Sequence, residues 1–113
     1  MKKRCYISGP ITGTEDYLKK FSEYEKRLKT VMSCTFMNPA KILFEMPEDT
    51  TYTEYMDMCE TMLKMCDRIF LMSGWEHSKG ARFEREYALM HGLTIYEEDE
   101  NGAITMIPGK EGI

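Results

Sequence analysis

Asp67-Arg68-Ile69-Phe70-Leu71-Met72-Ser73-Gly74 sets four consecutive apolar residues between a charged pair and a turn signal. A strand that is apolar at every position has both faces covered, as in the interior of a parallel sheet. Before it, apolar residues recur at Tyr55, Met56, Cys59, Met62, Leu63 and Cys66. That spacing predicts a helix of about four turns starting near Tyr52. After it, the turn-rich loop 73–80 leads into a helix over 81–91, with Gly92 as its C-cap. A helix, a buried strand and a second helix in succession make the unit from which a parallel sheet is wound.

The flanking segments extend the pattern. Residues 4–8 read as a short strand closed by Gly9-Pro10. Tyr17, Phe21, Tyr24, Leu28 and Val31 then mark one face of an amphipathic helix, with Thr14 as its cap and Glu15 and Asp16 in the first turn. A second strand spans 34–37 and ends at Asn38-Pro39, and 40–51 is a loop holding at most one helical turn. A strand over 93–96 is followed by Asn101-Gly102, a hairpin signal before Ile104, Thr105 and Met106. The expected fold is α/β: a flavodoxin-like (Rossmann-like) open, mainly parallel sheet of four to five strands, with helices on both faces. Residues 1–113 are expected to form one domain, with 97–113 an acidic tail carrying a small strand.

Composition narrows the function. The chain has 113 residues, 42% hydrophobic and 30% charged, and a net charge of −4. That balance argues against a binder of polymeric nucleic acid or anionic membrane, which needs excess cations, and leaves room for a single nucleotide held by local donors. No apolar run approaches the ~20 residues of a spanning helix. Met1-Lys2-Lys3-Arg4 leads directly into a strand-like segment, so a soluble, cytoplasmic protein is expected. Cys5, Cys34, Cys59 and Cys66 form no C-x-x-C pair, and His77 and His91 lie away from any ligand cluster. Free thiols are expected, with no metal site. Eleven methionines suit flexible core filler, a subunit interface being the other use open to some of them.

In an open parallel sheet the ligand lies at the carboxyl ends of the strands. The loop 8–13, Ser-Gly-Pro-Ile-Thr-Gly, has small residues and free amides, which suit either a ligand contact or a plain turn. It has neither the Lys-Ser/Thr pair of a Walker loop nor the G-x-G-x-x-G pattern. Ser78 precedes the helix over 81–91, so it can cap that helix while its amides face a pocket. Glu84 lies one turn after Gly80 and Ala81 and one turn before Ala88, with Phe83, Tyr87 and Met90 on the neighbouring face. It is either held near the sheet or exposed and paired with Arg85 or Lys79. Trp75, the only tryptophan, either stacks on a base or plugs its loop onto the sheet.

Together, Tyr6-Ile-Ser-Gly-Pro-Ile-Thr-Gly13, Asn38-Pro39-Ala40, Cys66-Asp67 and Gly74-Trp75-Glu-His-Ser78-Lys-Gly80-Ala81-Arg-Phe-Glu84 resemble the nucleoside 2-deoxyribosyltransferase superfamily. The closest likeness is to a small branch with a Gly-Trp-x-x-Ser-x-Gly-Ala loop, and the similarity spans residues 4–96. It implies cleavage or transfer of the N-glycosidic bond of a 2′-deoxynucleoside or its 5′-monophosphate, through a covalent glycosyl-glutamate intermediate. Glu84 matches the nucleophile, and Tyr6 the tyrosine that orients it. Substrate contacts are expected from Ser8, Gly9, Gly13, Asn38, Trp75, Ser78, Gly80 and Ala81. The resemblance also implies a small-molecule nucleoside or nucleotide as partner, a homodimer or higher homo-oligomer, and no metal or organic cofactor.

Ser78 matches the phosphate-binding serine of the family's monophosphate hydrolases, with Lys79 or Arg82 as an added cation. Their other phosphate serine is replaced by Pro10. The aspartate that helps protonate the leaving base is replaced by Cys59, eight residues before Asp67. Losing such an acid typically slows the reaction ~10²–10⁴-fold. The alternative reading is therefore a non-catalytic nucleotide-binding or sensor module of the same fold. A third is an accessory protein working through a Met-rich surface at Met56, Met58, Met62 and Met65, which a homodimer would explain equally well.

Overall fold

The computed structural model describes residues 3–107. Its centre is β3 (Arg68–Leu71), paired in parallel with β1 (Arg4–Ser8) on one side and β4 (Thr94–Glu98) on the other. β2 (Thr35–Met37) adds in parallel beyond β1. β5 (Ile104–Ile107) returns antiparallel on β4 through the Asn101-Gly102 turn, with Gly102 at φ 82°. The order β2-β1-β3-β4-β5 is the doubly wound flavodoxin-like arrangement, whose switch point lies between β1 and β3.

Alternation along the strands divides the core between two faces. Tyr6, Ile69, Leu71 and Ile95 face α3 (Tyr52–Leu63) and α4 (Lys79–Met90), where Cys59, Met62, Leu63 and Ala88 complete the layer. Cys5, Ile7, Phe70 and Met72 face α1 (Tyr17–Val31), which contributes Phe21 and Leu28. The register sets Tyr6 beside Ile69 and Ser8 beside Leu71. Tyr6 and Ser8 thus emerge on the α3/α4 face, at the carboxyl edge of the sheet. Among the described residues, no helix is long and apolar enough to cross a membrane.

Several local expectations need correction. Thr14 does not cap α1: its N–H closes a turn onto the Ile11 carbonyl, and the cap position falls to Asp16 in the left-handed region at φ 56°. Val31 is exposed, and the buried face of α1 includes Glu25. Residues 39–44 form α2 (Pro39–Phe44), whose start is capped by Asn38 accepting from the Ala40 N–H. α3 is shorter than expected and opens with a capping box between Thr51 and Glu54. Phe83 and Met90 are exposed, because α4 buries Ala81, Glu84 and Ala88 instead. Of the four methionines grouped as a surface, Met58 is exposed at 38% and Met65 at 45%, but Met62 is core. The last strand is a full member of the sheet, whereas 108–113 of the expected acidic tail lie outside the described residues.

Gly9 follows β1 where the chain passes against Met72, and a Cβ there would lie 2.6 Å from the Met72 Sδ and 2.9 Å from its Cβ. Gly9→Ala is expected to lower unfolding free energy by about 1–3 kcal/mol through overpacking. Urea denaturation measures it, and an unchanged midpoint would contradict the close approach.

Candidate functional site

The small residues of α4 bring its backbone near the sheet, and Glu84 between them points inward, 5% exposed. Two neighbours on one face of β1 receive it. The Tyr6 hydroxyl donates to Glu84 Oε2 at 2.6 Å, and the Ser8 hydroxyl donates to Oε1 at 2.7 Å. The Cys59 thiol faces the same group from α3. Burial pushes the Glu84 carboxyl up to about 7, with the hydrogen bonds from Tyr6 and Ser8 and the neighbouring Cys59 thiol opposing it. Tyr6 is held well above the ordinary phenol range by burial and then by the Glu84 charge. The same causes push Cys59 up to about 12. Tyr6 and Cys59 therefore keep their protons at neutral pH, while Glu84 is poised between its two states.

Above this carboxylate lies a cavity of about 260 Å³. Tyr6, Cys59 and Glu84 line its inner end, and Gly9, Ile11 and Thr12 border it from the loop after β1. Its wall is aromatic with one thioether: Tyr17 and Phe21 from α1, Tyr52, Tyr55 and Met56 from α3. Ser78, Gly80 and Ala81 add the start of α4 to the lining, with Gly80 against the α3 part of the wall. A Cβ on Gly80 would lie 3.2 Å from the Met56 Sδ and 3.7 Å from the Tyr52 hydroxyl, so a larger residue there would crowd the wall. Among the described residues lining the cavity, Glu84 is the sole carboxylate, and no Lys, Arg or His is present.

Tyr6, Gly9, Ser78, Gly80, Ala81 and Glu84 thus share one cavity, and the other expected contacts do not line it. Ser8 stands behind Glu84 with its hydroxyl engaged by the carboxylate. Gly13 supplies a left-handed turn at φ 73°, with no neighbouring atom near enough to meet a Cβ. Asn38 is buried, donating to Glu25 Oε1 at 2.9 Å while it caps α2. Trp75, half-buried against the core with the Arg85 guanidinium 5.1 Å from its ring, takes the plug position rather than the cavity wall. The Ser78 hydroxyl accepts from the Ala81 N–H at 3.2 Å, which is its capping role. Lys79 lies 5.4 Å from the Tyr52 ring centre, and Arg82 donates to the Glu76 carbonyl. Asp67 of the Cys-Asp pair sits at the far edge of the sheet, accepting from the Arg4 N–H at 2.9 Å.

Sequence reasoning missed the tyrosine wall. Tyr17, Phe21 and Tyr55 sit at helical spacing and read as the apolar faces of two helices, with Tyr52 read only as the start of the second. The available signal was position: each lies near the start of a helix, and helices that follow parallel strands begin at the carboxyl edge, where ligands bind.

Residues 3–97 match a family described as a domain of unknown function, DUF4406, and the chain belongs to that family. No curated protein matches it. Among solved structures, it is similar to a 2-deoxyribosyltransferase from the psychrotolerant bacterium Bacillus psychrosaccharolyticus, with a TM-score of 0.64 and 18% identity over 83% of this chain and 70% of that one. It is also similar to a 2-desoxiribosyltransferase from Leishmania mexicana, with a TM-score of 0.60 and 21% identity over 86% of this chain and 65% of that one. At this identity the likeness is one of fold, and the chain spans about two thirds of each neighbour's length.

The raised carboxyl of Glu84 has a thermodynamic consequence. Its folded value near 7 lies above the unfolded value near 4.5, so its contribution to stability is greatest below the unfolded value and is lost as pH rises through 7. Glu84→Gln removes the titration. The stability of the variant relative to wild type is expected to rise by roughly 3 kcal/mol between pH 4.5 and pH 8. Urea titrations at the two pH values test this; a difference independent of pH would contradict it.

Proposed function

We propose that this protein cleaves or transfers the N-glycosidic bond of a 2′-deoxynucleoside or its 5′-monophosphate through a covalent glycosyl-Glu84 intermediate. The observation that carries this reading is a buried carboxylate that faces a cavity with both oxygens held by neutral donors. The fold it shares with two 2-deoxyribosyltransferases supports it. A carboxylate has about four lone-pair sites, so the bonds from Tyr6 and Ser8 fix its orientation and leave a lone pair for the anomeric carbon. Attack forms the Glu84–C1′ bond as the bond to the base breaks; water or a second base then releases the sugar with net retention. Tyr6 and Ser8 act as positioning residues, and Gly9, Gly80 and Ala81 border the sugar. Among the described residues lining the cavity none is cationic, which favours the unphosphorylated nucleoside, since a phosphate would be held there by Ser78 and the α4 amides. Met58 on α3, Met65 just past its end, and Phe83 and Met90 on α4, all exposed, suit a homodimer contact.

Cys59 favours a second reading, a nucleotide-binding module without turnover, because a thiol held near 12 is a poor proton donor to a leaving base. The two readings separate when the protein is incubated with each deoxynucleoside and deoxynucleoside 5′-monophosphate and free base is measured chromatographically. Base release is expected, falling by ~10³-fold or more in Glu84→Ala and by roughly 10–100-fold in Tyr6→Phe. Release unaffected by Glu84→Ala would overturn the assignment. Nucleotide binding without any base release would establish the binding module.

A further inference from the structure

A departing base must be protonated or already carry a positive charge, and the cavity bears on which. Among the described residues lining it, the side chains with protons to give are the phenols of Tyr6, Tyr17, Tyr52 and Tyr55, the hydroxyls of Thr12 and Ser78 and the Cys59 thiol, beside Glu84 itself. Tyr6 donates to Glu84, and burial holds Tyr17 above its ordinary value as well. The Cys59 thiol is pushed up to about 12. Apart from Glu84, which serves as nucleophile, the described lining offers hydroxyls and this thiol but no second carboxylic acid and no imidazole to act as general acid. A wall of three tyrosines, Phe21 and the Met56 thioether is the kind of surface that attracts a cation without neutralising it. Glu84 adds a negative charge with no basic partner among the described residues: the polar groups packed on it there are Tyr6 and Ser8 from β1 and Cys59 from α3. The cation beside the wall, Lys79, has its ammonium over the Tyr52 ring and does not line the cavity.

Resting on the glycosyl-Glu84 reading, we propose that the favoured substrates are nucleosides whose base carries a permanent positive charge, a pyridinium or an N7-alkylated purine. The cationic ring lies against the tyrosine wall and the sugar over Glu84. In the first step the Glu84 Oε–C1′ bond forms and the C1′–N bond breaks. Its electron pair returns to the ring nitrogen and cancels the positive charge, so the base leaves neutral with no proton donor. Water then attacks C1′, the ester to Glu84 breaks, and one proton is released to solvent for each bond hydrolysed. Cys59 can replace a carboxylic acid in such a site because no acid is needed. The cation also favours the ionised form of Glu84, so binding and activation of the nucleophile reinforce each other.

The test has a kinetic arm and a binding arm. In the first, wild-type protein is given nicotinamide riboside, its 2′-deoxy form, 7-methyl-2′-deoxyguanosine and the uncharged deoxynucleosides. Each rate is divided by the spontaneous rate, because cationic nucleosides are intrinsically labile. The expected enhancement is about 10²-fold larger for a charged substrate, and comparison of the pyridinium with the methylpurine identifies the class. In the second arm, calorimetry compares 1-methylnicotinamide, which has no bond to cleave, with neutral nicotinamide. The cation is expected to bind about tenfold more tightly at pH 8. That advantage should be lost at pH 5.5, in Glu84→Gln and in Tyr55→Leu, and kept in Tyr55→Phe, which retains the ring but not the hydroxyl. Equal enhancement for charged and uncharged nucleosides, or equal affinity for the two nicotinamides, would overturn the proposal and leave the glycosidase reading standing. No cleavage of any nucleoside would overturn both.

Discussion

The hydrogen bonds that Tyr6 and Ser8 donate to Glu84, at 2.6 and 2.7 Å, are the constraint on which the rest of the site depends. They join β1 to α4 across more than seventy residues, and they require that α4 lie close enough for a glutamate to reach the sheet. Ala81 and Ala88 allow that approach, and Gly80 keeps the helix start from colliding with Met56. The carboxylate is compensated within its layer, and among the described residues no buried side-chain N or O atom lacks a hydrogen-bond partner. A buried polar group without a partner would carry a penalty of several kcal/mol, so the small residues of α4 and the hydroxyls of β1 have to occur together.

A second buried glutamate in the same molecule shows what is particular about Glu84. Glu25 on α1 is also largely buried, yet it accepts from Asn38 at 2.9 Å and is paired with Lys29 at 3.0 Å and Lys41 at 3.4 Å. Burial pushes its carboxyl up, but Asn38 and the two ammonium groups outweigh that, and the net shift is downward. Glu84 has neutral donors only, and its carboxyl rises. One glutamate is neutralised and structural, tying α1 to the start of α2; the other holds a proton loosely at the end of a cavity. Two identical side chains driven apart by their surroundings is how a fold separates a scaffold charge from a reactive one.

The parallel sheet was legible because the run 69–72 is apolar at every position, and because helical spacing surrounds it on both sides. Spacing left Glu84 two readings, held near the sheet beside Gly80, Ala81 and Ala88 or exposed and paired with Arg85 or Lys79. The structure buries it, while Phe83 and Met90, read as the neighbouring apolar face, are exposed. What local sequence could not show was which polar residues meet across the sheet. Ser8 read as the end of a strand and as a substrate contact, whereas the pairing of β1 against β3 sets it opposite α4 with its hydroxyl on Glu84. The resemblance implied a ligand contact for Asn38, but the chain turns there into α2 and the side chain caps that helix. Trp75 had two readings that composition could not separate; the turn at 75–77 packs it on the core. Tertiary distance decided each of these cases, and a linear pattern carries little of it.

The central claim is that the Glu84 carboxylate bonds to the anomeric carbon. The most direct measurement is mass spectrometry of the protein quenched during reaction with a 2′-fluoro-2′-deoxyarabinosyl nucleoside, whose electron-poor sugar slows release of the intermediate. The account predicts a glycosyl adduct that maps by peptide fragmentation to Glu84 and is absent from Glu84→Gln. Base release with no adduct at any time point, or an adduct on another residue, would contradict it.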